Sequence, residues 1–85
     1  MDDVWFGDEV VAVEAQFLSD GEIRPTAFTW RGKRRTVAGL GRQWDEADGR
    51  HVLVAAPDAS RFELCLNSAQ SSWRLLRAWE RPNLA

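Results

Sequence analysis

Hydrophobic and polar positions alternate with a period of two along most of the chain. Val11, Val13, Ala15 and Phe17 alternate with Ala12, Glu14 and Gln16, and Phe62, Leu64 and Leu66 alternate with Glu63, Cys65 and Asn67. This period marks a half-buried strand, and the repeated β-branched Val favours strand over helix in the first of these segments. The same reading gives strands at 22–30, 33–44, 51–56 and 73–79, with Val52 and Val54 on one face of the fourth. In the last, Trp73, Leu75, Arg77 and Trp79 fall on one face. Val4-Trp5-Phe6 stands apart as an apolar patch among acids, and residues 1–8 are expected to dock loosely on the rest.

Turn chemistry punctuates the pattern. Asp20-Gly21 suits a type I′ hairpin, in which both central residues take positive φ. Arg31-Gly32 closes a second hairpin and sets a register, with Trp30 facing Lys33 and Phe28 facing Arg35. Pro25 has no N–H to give to a ladder, which puts that part of its strand at an edge or a bulge. Gly39-Leu40-Gly41 interrupts the third strand. Val37 and Leu40 lie on opposite faces under strict alternation, and a bulge at a glycine would return both to the core. Six short strands with no helical segment predict an all-β fold, a small antiparallel barrel that is SH3-like or related. Residues 1–85 form one domain.

A chain of 85 residues has little volume for a core, and five Trp and four Phe are bulky fillers for it. Phe28, Trp30, Val37, Leu64 and Trp73 are the expected core. Trp5 or Trp44 is the surplus aromatic expected at the surface.

The net charge of −2 conceals a segregation: every ionisable residue from Met1 to Glu22 is acidic, and every one from Ile23 to Trp44 is basic. Cross-strand ion pairs are the plainer account. The other is a contact surface for a polyanion, made of Trp30, Arg31, Lys33, Arg34, Arg35, Arg42 and Trp44.

Catalytic chemistry finds little support. His51 is the only histidine and Cys65 the only thiol, against the four ligands of a structural zinc site. Gly39-x-Gly41 lacks the third glycine of a dinucleotide fingerprint. No enzyme activity, cofactor or metal is expected. A lone Cys and the absence of a signal-peptide pattern at the N-terminus suggest a cytoplasmic protein. No apolar run approaches the roughly 18 residues of a membrane span, so no membrane role is expected.

Pro25, Phe28, Trp30-Arg31-Gly32, Val37, Trp44, Phe62-Glu63-Leu64 and Trp73-Arg74-Leu75-Leu76-Arg77 together resemble the pattern of a family of small bacterial domains of unknown function. The resemblance runs from Glu9 to Arg81. Members of that family are often encoded near error-prone DNA polymerase components, which implies a DNA-damage context without an activity. The chain departs from the pattern at Arg35, where the family has Tyr, and at His51-Val52-Leu53-Val54, where it has an aromatic-rich strand.

The expectation is a non-enzymatic binding module whose partner is another protein or a second copy in a homodimer. The alternative is a nucleic-acid-binding module that uses the Arg31–Arg42 stripe with Trp30 and Trp44 as stacking surfaces. An isoelectric point near 5.3 weighs against the alternative.

Overall fold

The computed structural model describes residues 3–67 and 69–80. They form seven strands: β1 (Asp3–Phe17), β2 (Ile23–Trp30), β3 (Lys33–Thr36), β4 (Gly39–Glu46), β5 (Gly49–Ala55), β6 (Arg61–Asn67) and β7 (Ser72–Glu80). All pairings are antiparallel, in one sheet of order β3-β2-β1-β7-β6-β5-β4. The sheet curls into a half-barrel, open between β3 and β4, and no helix occurs among the described residues.

β1 is the spine. Its first part pairs with β7, from Asp3↔Glu80 to Val11↔Trp73, and its second part pairs with β2, from Ala12↔Thr29 to Phe17↔Ile23. The patch Val4-Trp5-Phe6 is therefore no docked appendage but the start of a 15-residue strand. Bulges at Phe6/Glu9 and Glu14/Ala15 bend that strand around the core, and Pro25 lies at the second of them, as its missing donor requires. Gly7 is needed for a steric reason: the Trp5 ring lies beneath it, and a Cβ there would come within 2.4 Å of the ring.

The segment read as one third strand is two strands on opposite edges of the sheet, which raises the count from the expected six to seven. The break falls at two adjacent residues. Val37 N–H donates to Thr26 O on β2 (2.9 Å), and Ala38 N–H donates to Ala55 O on β5 (2.7 Å). One peptide link thus ties the two edges together, and the sheet must curl to allow it. β4 carries the bulge that its glycines imply, between Leu40 and Gln43. Val37 packs on the core, but Leu40 remains 41% exposed, because the bulge sits on an outermost strand with nothing over it.

The Arg31-Gly32 turn has positive φ at both residues (53° and 76°), and the expected register holds at Trp30↔Lys33 and Phe28↔Arg35. The Asp20-Gly21 turn differs from the expected type I′. Leu18 N–H donates to Glu22 O and only Gly21 has positive φ (90°), which makes a three-residue loop with glycine alone in the left-handed region. This spares Asp20 that conformation and leaves its carboxylate to accept Glu22 N–H at 2.9 Å.

Phe28, Phe62, Leu64, Leu75, Val52 and Val54 are enclosed, with Phe28 edge-on to Phe62 at 4.9 Å. Trp30, Leu64 and Trp73 are buried as expected, and Val37 is half-buried. Trp5 and Trp44 are both half-buried rather than exposed, because Trp5 packs against Trp30 (5.1 Å) and Trp44 against His51. On β7, a bulge opposite Glu63/Leu64 breaks the expected alternation. Leu75 and Ala78 face inward, while Arg77 comes opposite Glu63 and Trp79 opposite Arg61 on the outer face.

Candidate functional site

The basic hairpin is largely neutralised from within. Trp30 is buried, and its indole N–H donates to Glu9 Oε2 at 2.5 Å. The Arg31 guanidinium lies 4.6 Å from the Trp30 ring centre and 5.4 Å from that of Trp5, and it reaches Glu9 at 3.3 Å. Arg34 forks onto Glu14 at 2.8 and 3.0 Å. Arg35, mostly buried, sits 5.2 Å from the Phe62 ring centre and pairs with Glu80 at 3.0 Å. Hydrogen bonds from Trp30 and then Arg31 hold the Glu9 carboxyl below its ordinary pKa, and Arg34 does the same for Glu14. Lys33 has no such partner among the described residues. Segregated charge in the sequence becomes paired charge across strands.

Arg42 and Trp44 belong elsewhere. Arg42 lies 5.3 Å from the Trp44 ring centre on β4, close to Gln43, which faces Ile23 at the start of β2. Trp30 is at the other end of β2. The seven residues of the expected surface therefore divide into two groups a strand length apart.

The outer face of β4–β7 carries a denser cluster. Register sets His51 opposite Cys65 and Leu53 opposite Glu63, and the β7 bulge turns Arg77 onto Glu63. Glu63 is 5% exposed; it takes two contacts from Arg77 (2.7 and 2.6 Å) and one from His51 Nδ1 (2.7 Å). The other ring nitrogen, Nε2, meets Asp48 Oδ1 at 2.7 Å and Glu46 Oε2 at 3.4 Å. Trp44 covers the imidazole as a parallel plate at 5.2 Å, and its own N–H donates to Glu46 at 2.6 Å. Burial works against the charged imidazole, but Asp48 and Glu63 together outweigh it and raise the His51 pKa. His51 in turn lowers that of Asp48.

Cys65 is buried in the same cluster. Burial, with Asp48 and Glu63 adding to it, pushes its thiol up to about 11, the opposite of what a nucleophilic cysteine needs. Among the described residues its Sγ makes one hydrogen bond, to the Asp48 carbonyl oxygen at 3.7 Å. The arrangement does not resemble a Cys–His nucleophile pair. What it does bring together is a set of donors: Asp48, His51 and Cys65 offer ligand atoms that all lie within 4.8 Å of one another.

A third feature is the open side of β1. From Asp3 to Val10 its second edge pairs with no strand among the described residues. Val4 and Phe6 come opposite Trp79 and Arg77, and Val10 opposite Arg74, so all three lie on the outer face, with Phe6 68% and Val10 72% exposed. Beside them, Trp79 lies between the guanidiniums of Arg61 (5.6 Å) and Arg77 (4.8 Å) and borders an apolar groove of about 470 Å³ over Leu53 and Gly41.

No family model, curated protein or solved structure matches the chain. The family resemblance therefore rests on the residues quoted for it.

Sequence reasoning did not assemble the His51 cluster, because counting Cys and His alone leaves out Asp48, Glu46 and Glu63. One signal was present: the alternation in β6 points Glu63 and Cys65 the same way, on the face opposite Phe62 and Leu64.

Proposed function

We propose that the domain is a non-enzymatic interaction module, and that its partner is a second copy of the chain, joined along the open edge of β1. The carrying observation is that edge, from Asp3 to Val10, with Val4, Phe6 and Val10 exposed on the adjoining face. Unpaired N–H and C=O groups in a strand accept another strand, and proteins that avoid such pairing place Lys or Pro along the edge. Neither residue occurs between Asp3 and Val10. The acids there do not repel a like strand strongly, since Asp8 is bound to Arg74 and Glu9 to Trp30 and Arg31. The bulge at Phe6/Glu9 limits new pairing to the stretches on either side of it.

The finer architectural reading, an SH3-like or related small barrel left open on one side, is supported by the curl and by the side-chain bridge between β2 and β4. The nucleic-acid alternative is the weaker one, because Arg31, Arg34 and Arg35 are already paired with carboxylates.

Sedimentation equilibrium tests the proposal. A dimer is expected at micromolar concentration, and the double variant F6K/V10K is expected to be a folded monomer whose melting temperature, unlike that of the wild type, does not rise with protein concentration. A wild-type monomer at high micromolar concentration rejects it. Tight binding to single-stranded DNA at physiological salt, weakened by K33E, would favour the alternative.

A further inference from the structure

We propose that Asp48, His51 and Cys65, joined by Glu46, form a binding site for a divalent transition metal of the zinc class. The donors are a carboxylate, an imidazole nitrogen and a thiol from the β4–β5 turn, β5 and β6, with ligand atoms of the first three within 4.8 Å of one another. Glu46 Oε2 lies 3.4 Å from His51 Nε2 and supplies a fourth donor. Nitrogen, thiolate sulfur and carboxylate oxygen in fourfold coordination suit zinc and select against magnesium and calcium, which take oxygen.

Two further observations point to a metal, one outside the donor set and one within it. The first is Glu63, a buried carboxylate that holds His51 Nδ1 at 2.7 Å and is itself clamped by Arg77 at 2.6 Å. A metal-ligating histidine characteristically gives its second nitrogen to such a carboxylate, which fixes the ring and aims the first nitrogen at the ion. The second is Cys65, 1% exposed, whose Sγ has among the described residues only the long hydrogen bond to Asp48 O at 3.7 Å. Asp48 and Glu46 are exposed at the end of the β4–β5 hairpin, where their side chains can turn inward to coordinate at about 2.0–2.3 Å by exchanging their hydrogen bonds to His51 and Trp44. Trp44 lies flat over the imidazole and limits access by water from that side. On binding, the metal replaces the proton of the thiol and any proton on Nε2, and these pass to solvent.

Cobalt(II) reports the site directly, because a thiolate ligand gives an intense near-ultraviolet charge-transfer band. Titration of the purified, metal-stripped protein is expected to produce that band with one cobalt per chain and to be reversed by zinc. C65S should abolish the band, and H51Q should abolish tight binding. E63Q, which leaves every proposed ligand in place, should weaken zinc about 10–100-fold. Should the buried-site variants fail to fold, D48N and E46Q change only exposed turn residues and should each lower zinc affinity. Absence of the band in folded wild-type protein, a band that persists in C65S, or affinity unaltered in both turn variants overturns the proposal.

Discussion

The side chain of Gln43 takes both backbone groups of Ile23: its Oε1 accepts the Ile23 N–H at 3.3 Å, and its Nε2 donates to the Ile23 carbonyl at 2.5 Å. A side-chain amide thus stands where a neighbouring strand would be, across the gap in the half-barrel. Arg50 steadies it, with Nη1 3.2 Å from the same Oε1 while its guanidinium forks onto Asp45.

Removing this bridge leaves the polar groups of a buried residue without partners. Gln43→Leu is expected to cost about 1–3 kcal/mol, the usual penalty for unsatisfied buried groups. For a domain of this size that lowers the melting temperature by about 4–8 °C per kcal/mol. Gln43→Glu should do at least as much harm, since it sets a carboxylate oxygen against the Ile23 carbonyl. Urea denaturation of both variants checks this, and two midpoints equal to wild type would show that the gap holds without the bridge.

Two glycines with positive φ should differ sharply in tolerance. At Gly49 (φ 139°) a Cβ would fall 2.1 Å from the Leu66 carbonyl oxygen, so Gly49→Ala must push β5 from β6 and is expected to prevent stable folding. At Gly21 (φ 90°) nothing lies within 4 Å, and Gly21→Ala should lose only the conformational term, about 1–2 kcal/mol. Amide chemical shifts and thermal melts of the pair separate steric conflict from backbone preference.

Acid should weaken the β1–β2–β3 part of the sheet. Glu9 and Glu14 have their pKa lowered from the ordinary glutamate value in the folded protein, held there by Trp30 with Arg31 and by Arg34 respectively. A carboxylate whose folded pKa is depressed stabilises above its unfolded value, and that contribution fades as pH falls through the folded value. Stability measured from neutral pH into strong acid should therefore decline, and the decline should be shallower in Glu14→Gln. Both ion pairs are exposed, so added salt should shrink the difference.

The tryptophans should not be equivalent. Trp30 is enclosed by Trp5 and Phe62, and Trp30→Ala is expected to cost about 3–5 kcal/mol. Trp79 lies on the outer face between two guanidiniums, and Trp79→Ala should cost about 1–2 kcal/mol, mostly cation–π attraction. Equal losses in chemical denaturation would mean that the outer face is covered in solution.

What was legible in the chain is what local chemistry determines. The positive φ available at Arg31-Gly32 sets the hairpin register, and the pairing of Phe28 with Arg35 follows from it. The alternation of Phe62, Leu64 and Leu66 places them inside without reference to any neighbour. The break at Val37-Ala38 was not legible, because glycines mark a bulge and a strand end alike. Nor was the union of His51 with Glu63 and Arg77, which depends on the pairing of β5 with β6 and on a bulge in β7. Alternation along one strand carries no information about either.

The single peptide link between the two edges of the sheet bears on circular permutation. Strand order around the curl is strand order in the chain, cut between β3 and β4 and joined where Asp3 lies against Glu80. Joining the chain near that pair and opening it between Val37 and Ala38 would make every strand adjacent to its sequence neighbour. The one pairing of long sequence separation, β1 with β7, would become a hairpin, and folding should accelerate as loop-closure entropy falls. The permuted chain would also lose its covalent tether across the gap and keep side-chain links there, the Gln43 amide and the Arg50 contact to Gly21 O among them. If it still curled, strand twist and core packing would be what bends the sheet; if it flattened, the bend would belong to one peptide bond.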